Sequence, residues 1–168
     1  MHLGLVDAVY TRIGAVDDVG SGRSTFMVEM LETAAVLGGA TTRSLVLLDE
    51  LGRGTSTHDG MAIAWAVIDH LVVGPARPRA IVATHYHELA ALADIHPAIT
   101  LLRAAVEAGP AGPRFPHRVE PGATQESYGI AVARLAGLPA GVLDRATAVA
   151  AALAPVSRAI ARRLREQR

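Results

Sequence analysis

The amino-acid sequence predicts an α/β fold in which helices flank a mostly parallel sheet. Two short apolar runs, at residues 45–48 and 80–83, show no alternation of apolar and polar side chains. Such runs are typical of parallel strands buried on both faces. Residues 60–73 between the two runs favour a helix, so the order is strand, helix, strand. Because such crossovers are right-handed, both strands are expected in one parallel sheet.

The segments before and after this unit also carry periodicity or turn signals. Residues 5–13 favour a strand, and residues 25–37 favour a helix that ends at Gly38-Gly39. Residues 109–116 are rich in Pro and Gly and predict a hairpin tip or a loop. Two helices joined by a Gly-containing turn then predict a C-terminal helix-turn-helix shape, followed by an arginine-rich tail of frayed, solvated helix. The predicted bounds of these helices are 128–136 and about 140–153, and the tail covers residues 156–168.

Composition restricts the possible functions. The 168 residues are 51% apolar and carry zero formal net charge, which excludes a global positive field that attracts nucleic acid. The absence of cysteine excludes disulfides, thiolate zinc sites and a cysteine nucleophile. No apolar run approaches the roughly 18 residues of a membrane span, so a cytoplasmic location is expected. All 16 basic residues are arginine. A Walker A loop needs a lysine at the β- and γ-phosphates, so this sequence contains no such loop.

Asp49 and Glu50 follow the first apolar run directly. Ligands of parallel α/β sheets bind beyond the carboxyl ends of the strands, so this pair is a Walker B arrangement. Asp49 is expected to hold Mg²⁺ and Glu50 to polarise an attacking water. The alternative is an acidic pair that only caps the following turn.

His85 follows Thr84 directly after the second apolar run. It is a candidate for sensing a γ-phosphate. The alternative is an ordinary hydrogen-bonded histidine at a strand end. A metal cluster formed by His85, His87 and Glu88 is a weaker alternative, because no further ligand stands at a familiar spacing.

Two polar segments complete the candidate residues. Small residues before a helix leave backbone N–H groups for an anion, although Ser and Thr are also simply good helix caps. These residues are Ser21, Gly22, Arg23, Ser24 and Thr25. A second segment, rich in Gly and hydroxyl groups, follows the acidic pair, and an ordinary surface loop has the same composition. Its candidates are Arg53, Gly54, Thr55, Ser56, Thr57 and Asp59.

In their order and spacing, these segments together resemble the MutS family of DNA mismatch-repair ATPases over residues 5–153. The resembling segments are 11–15 (TRIGA), 17–30 (from DD to SGRSTFMVEM), 47–60 (LLDELGRGTSTHDG), 83–89 (ATHYHEL) and 127–139 (SYGI to LAGLP). The stretch GRGTST at residues 52–57 is the most specific of them.

This resemblance implies an ABC-class ATPase domain of the P-loop NTPase fold, in which two ATP molecules with Mg²⁺ lie between two subunits. Residues 21–25 then match the signature, with Ser24 reaching the partner's γ-phosphate. Asp49 matches the magnesium ligand, Glu50 the catalytic acid, His85 the switch histidine, and residues 53–59 the D-loop. The division implied is 1–125 for a partial ATPase domain, 126–155 for a helix-turn-helix that packs on the opposite subunit, and 156–168 for the tail.

The family's phosphate loop and DNA-contacting domains are missing from this sequence, which predicts an ATPase domain truncated at its N-terminus. A homodimer or an intact MutS-like subunit is the expected partner, with a MutL-type repair protein, and mismatched DNA is expected only through the missing domains. The expected location is cytoplasmic and nucleoid-associated. The alternatives are a catalytically inert interaction module and, ranked lower, the anti-recombination branch of MutS-like proteins, whose nuclease-type tail is missing here.

Overall fold

A computed structural model describes residues 4–14, 24–109, 112–124 and 127–166. The chain divides into two compact units, at residues 1–86 and 87–168. We call them the N-terminal unit and the C-terminal unit. This division concerns packing, and the predicted functional boundaries at residues 125 and 155 stay predictions.

The N-terminal unit contains a three-stranded parallel sheet in the order β1-β2-β3. Its strands are β1 (Val9–Arg12), β2 (Leu45–Asp49) and β3 (Arg79–Ala83). The register pairs Tyr10 with Val46 and Val46 with Ala80. The predicted parallel arrangement is therefore confirmed, although β1 is shorter than the predicted strand over residues 5–13.

Two helices connect these strands, α1 (Thr25–Gly39) and α2 (Thr57–Val73). The predicted end of α1 at Gly38-Gly39 is confirmed, since the helix ends at Gly39 and Ala40 is its C-cap. Gly39 leaves room for Tyr10, whose hydroxyl donates to the Gly39 carbonyl at 2.8 Å. The predicted start of α2 at residue 60 was wrong, since the helix begins three residues earlier, at Thr57, with Ser56 as its cap.

Only one face of this sheet is well covered. Both crossovers run in the same direction, and right-handed connections therefore place α1 and α2 on the same face. Val46 and Leu48 point to that face and are buried. On the opposite face Val9 is 55% exposed and Ile81 is 62% exposed. The prediction that the first apolar run is buried on both faces was thus correct for only one face of β2.

The C-terminal unit begins with a 3-10 helix (His87–Ala91) and the short helix α3 (Leu92–Ile95). Four short strands form two antiparallel pairs, and the second pair is the hairpin predicted near residues 109–116. The first pair joins β4 (Leu102–Ala104) to β7 (Val119–Pro121), and the second joins β5 (Glu107–Gly109) to β6 (Gly112–Arg114).

Two helices, α4 (Gly129–Leu135) and α5 (Ala140–Arg165), end the described chain. A short turn joins them, with Gly137 at a φ of 85°. The predicted end of α5 near residue 153 was wrong, because the helix continues through Pro155. Its far end is held where Arg165 pairs with Asp94 of α3 at 2.6 Å. The assignment of α4 and α5 to the family's helix-turn-helix stays a prediction. Among the described residues, no helix is long and apolar enough to cross a membrane.

Candidate nucleotide site

The acidic pair lies where β2 ends. Asp49 is the last residue of the strand and is in register with Ala83 of β3. Glu50 follows with a φ of 50°, in the left-handed region that side chains other than glycine rarely adopt. Its N–H still donates to the Ala83 carbonyl at 2.9 Å. Such a conformation costs on the order of 1–3 kcal/mol and occurs often at functional sites. It turns the Glu50 carboxylate away from the strand direction.

Three charged or titratable side chains come together after this turn. The Nδ1 atom of His85 lies 3.8 Å from Oε1 of Glu50, and Arg53 makes an ion pair with the other oxygen. The side chains of Glu50 and His85 are 37% and 46% exposed, so this group faces solvent. Within the described part of the chain, no ion pair occupies Asp49 and no three His, Cys, Asp or Glu side chains form a metal cluster.

Ser24 and Thr25 stand at the start of α1, whereas Ser21, Gly22 and Arg23 lie outside the described residues. The Ser24 side chain accepts a hydrogen bond from the Met27 N–H at 3.2 Å and caps the helix. A hydroxyl that accepts this bond keeps its own proton for donation, so capping and phosphate contact are compatible. The first turn of α1 contains no acidic residue that would repel an anion.

Thr25 lines a small cleft. This cleft of about 200 Å³ lies between the end of β1 and the start of α1 among the described residues. Pockets that enclose a small molecule measure roughly 300–1,000 Å³, so the cleft is smaller than a pocket that encloses a whole nucleotide.

The segment 53–59 is held at both ends. Ser56 accepts from the Asp59 N–H at 3.2 Å, and its hydroxyl donates to the Asp59 carboxylate at 2.9 Å. A side chain on Gly54 would place its Cβ 3.0 Å from Cβ of Phe26, so this loop packs closely on the first turn of α1. Thr55 is half-buried, and Thr57 is the first residue of α2. Of the predicted loop residues, Ser56 thus caps α2, and Thr57 and Asp59 lie in its first turn.

Comparison with known proteins identifies the family. The sequence profile of MutS domain V matches residues 1–154. The chain belongs to the MutS family. It is 55% identical over 147 residues to the DNA mismatch repair protein MutS of Nostoc punctiforme, covering 88% of this chain and 16% of that protein. The MutS of Rhodopirellula baltica is 51% identical over 154 residues, covering 90% of this chain and 17% of that protein. The chain therefore spans about one sixth of the length of these relatives.

Three buried polar residues beside the MutS motifs were missed from the sequence. Arg12, Glu29 and Tyr86 are 5%, 3% and 6% exposed. Helical spacing contains the signal for one of them, because Glu29 lies on the same stripe of α1 as the buried Thr33 and Val36. A carboxylate on the buried stripe of a helix predicts a buried partner for its charge. No comparable pattern marks Arg12 or Tyr86.

Proposed function

We propose that the chain supplies the signature half of a composite ATP site in a MutS-type dimer that acts in DNA mismatch repair. One observation carries the proposal. Ser24 caps a 15-residue helix on an open surface and keeps a hydroxyl proton for a phosphate oxygen. These 168 residues contain no lysine for a phosphate loop, so the phosphate that Ser24 contacts would be held by residues outside them.

The other motif residues take roles at the carboxyl edge of the sheet. Asp49 would hold a Mg²⁺ ion, whose chemistry is to bridge phosphate oxygens and neutralise their charge. A hard cation needs only one or two carboxylates when phosphates complete its ligands, which fits an acid with no competing ion pair among the described residues. Glu50 would orient a water, and His85, whose Nδ1 lies 3.8 Å from a Glu50 oxygen, would sense the γ-phosphate.

The partner is a second subunit that carries a phosphate loop, either an intact MutS-like protein or a polypeptide that supplies the loop to this chain. Zero net charge gives the chain no long-range attraction for DNA. Contact with mismatched DNA, and with a MutL-type repair protein, therefore belongs to the longer assembly. The 168-residue chain alone is expected to give no ATP turnover.

The test is complementation in a mixture. An intact MutS relative whose own signature serine is replaced by alanine is mixed with this chain, and ATP hydrolysis is measured. We expect turnover to return in the mixture and to fall by about 10²-fold with Ser24→Ala in the chain, because one phosphate donor is lost. Co-elution of the two proteins on size exclusion shows that they associate. A mixture that associates but does not turn over ATP contradicts the proposal.

Three substitutions separate the hydroxyl's proposed contact from its role as a cap. Aspartate caps helices as well as serine does, but its charge repels phosphate, so Ser24→Asp should keep stability and lose turnover. Ser24→Gly costs only a few tenths of a kcal/mol as a cap and lacks the hydroxyl. Ser24→Thr retains both functions and should restore turnover. If turnover instead followed helix stability through this series, Ser24 would be only a cap.

A second candidate function is a catalytically inert interaction module. The observation that favours it is a set of exposed apolar side chains on α4 and α5. The exposed apolar side chains are Val132, Leu135, Val142, Val149, Leu153 and Val156. If the chain is such a module, it would co-elute with an intact MutS relative. It would leave the turnover of that relative unchanged or lowered, with no dependence on Ser24.

A further inference from the structure

One buried carboxylate joins three elements of the N-terminal unit. Glu29 lies on α1, and its Oε2 atom is 3.4 Å from Nη2 of Arg12 at the end of β1. Its Oε1 atom accepts a hydrogen bond from the N–H of Gly52, in the loop that follows the acidic pair. Glu29 is 3% exposed and Arg12 is 5% exposed, so these contacts lie away from solvent.

Burying this ion pair costs more free energy than filling the same space with apolar side chains. A buried charge must be paired and hydrogen-bonded, and apolar residues of similar size often stabilise a fold as well or better. Buried ion pairs are therefore weak evidence for stability and better evidence for a fixed geometry. Here both oxygens of Glu29 have partners, and those partners belong to different elements.

Gly52 is held on its other side as well. The Tyr86 hydroxyl donates to the Gly52 carbonyl at 3.0 Å. Burial, together with the charge of Glu29, raises the pKa of Tyr86, so the hydroxyl keeps the proton that it donates. Gly52 has a φ of 88°, and a Cβ there would lie 2.4 Å from the Gly60 carbonyl oxygen. A side chain therefore has no space at Gly52, and both its N–H and its carbonyl are held by hydrogen bonds.

We propose that Glu29 is a positioning residue that fixes the loop at residues 52–59 relative to the start of α1. This inference rests on the proposed function. In that proposal, Ser24 contacts the nucleotide held by the partner. Glu50 and the loop at residues 52–59 contribute to the other nucleotide site, the one on this chain. Glu29 lies just over one helical turn beyond Ser24 and bonds the residue two positions after Glu50. It therefore couples the two nucleotide sites within one subunit.

The first test needs no nucleotide. The exchange rate of the Gly52 amide hydrogen is measured by NMR in the 168-residue chain and in three variants. Glu29→Asp keeps the charge but is one methylene too short to hold both partners, and we expect at least 10-fold faster exchange. Glu29→Gln keeps the length and an acceptor, so its exchange should be intermediate. Glu32→Gln is the matched control, because Glu32 also pairs with Arg12, at 3.1 Å, from a half-exposed position.

Stability is separated from positioning by thermal unfolding of the same variants. Glu32→Gln removes one ion pair of Arg12 without touching the loop, and its Gly52 exchange should match that of the parent chain. If Glu32→Gln accelerated exchange as much as Glu29→Asp, or if exchange in all variants followed the unfolding midpoint, Glu29 would be structural only. Unchanged exchange in Glu29→Asp also overturns the proposal.

The second test uses the complementing mixture. With Glu29→Asp we expect kcat to fall about 10-fold with KM for ATP nearly unchanged, because the loop is misplaced while the phosphate contacts of Ser24 remain. Glu29→Gln should recover part of that loss. If the parent chain restores no turnover, the proposed function fails while the amide exchange still tests the positioning. If the parent restores turnover and Glu29→Asp does so equally, the coupling is refuted and the proposed function stands.

Discussion

The two units of this chain bury their side chains in different ways. The N-terminal unit buries polar groups as well as apolar ones, among them Arg12, Glu29 and Ser44. The C-terminal unit places few side chains inside: within the 26 residues of α5, which the structure describes throughout, only Leu143 is buried. Buried polar groups need defined partners, whereas exposed apolar groups need none within the chain. The geometry of the N-terminal unit is thus specified internally, while α5 presents a surface.

This difference indicates where each unit's function lies. Side chains that must keep a defined geometry, such as the neighbouring Glu50 and His85, need fixed supports beneath them. A helix with exposed apolar positions along its length offers area for a partner. We therefore expect substitutions in the N-terminal unit to change geometry and stability, and those on α5 to change association.

The largest expected effect is at Gly52. Gly52→Ala adds a Cβ at a φ of 88°, 2.4 Å from the Gly60 carbonyl oxygen, so the backbone must shift. We expect the free energy of unfolding to fall by about 3 kcal/mol. The matched control is Gly38→Ala, at an exposed helical position with nothing within 4 Å, which should gain about 0.5–1 kcal/mol. Urea denaturation of both variants measures the contrast, and equal effects would contradict the internal specification of this loop.

The next effect lies in α5. Pro155 removes a backbone donor from the helix interior, and proline there costs up to about 3 kcal/mol relative to alanine. Pro155→Ala should therefore raise helicity and the thermal midpoint of the C-terminal unit, as followed by circular dichroism at 222 nm. A fall in either would mean that the proline-containing shape of α5 is supported by contacts that the alanine variant loses.

These two positions also show how far sequence reasoning reaches. The order β2-α2-β3 and its parallel pairing follow from two apolar runs and a helical segment, and they were predicted. Gly52 was recognised as part of a polar loop, but its close approach to Gly60 depends on tertiary packing that no local pattern records. The helix over 140–153 and the frayed helical tail after it were predicted as separate segments, whereas the structure joins them through Pro155 into one helix that contacts α3 and the 3-10 helix.

The candidate site divides in the same way. Asp49, Glu50 and His85 were found because strand ends in a parallel sheet share one edge. Glu29 was missed because a single acid among apolar neighbours resembles an exposed helical residue until its stripe is examined. Tyr86, which donates to the Gly52 carbonyl, was missed because only the neighbouring His85 was considered as a candidate. Motif reasoning predicted the candidate residues at the ends of the strands, and the buried residues that support them became visible only in the fold.

Smaller effects concern the two exposed apolar surfaces. Ile81 lies on the open face of the sheet and is 62% exposed, and Leu153 on α5 is 58% exposed. Ile81→Thr and Leu153→Gln should each change stability by no more than about 0.5 kcal/mol. We expect Leu153→Gln to weaken association with an intact MutS relative more than Ile81→Thr does, measured by analytical ultracentrifugation. The reverse order would place the association surface on the sheet.

The smallest expected effects are those of replacing two carboxylates, Asp7 and Glu120, whose contributions to stability depend on pH. Hydrogen bonds from Thr41 and Ser44 lower the pKa of Asp7, and the guanidinium of Arg118 lowers the pKa of Glu120. A lowered folded-state pKa contributes stability above the unfolded value, near pH 4, and this contribution is lost as the pH falls further. Asp7→Asn and Glu120→Gln should therefore destabilise the chain at neutral pH and converge with the parent at acid pH.

Of these two, Asp7→Asn should have the larger effect. Its partner Ser44 is fully buried and would lose an ionised acceptor, whereas Arg118 is 58% exposed and is solvated after Glu120 is replaced. Thermal midpoints from pH 2 to pH 7 measure both differences. If Glu120→Gln had the larger effect at neutral pH, surface ion pairs would support the C-terminal unit more than the partly buried hydrogen bond from Ser44 to Asp7 supports the N-terminal one. The contrast between the two units would then rest on apolar burial alone.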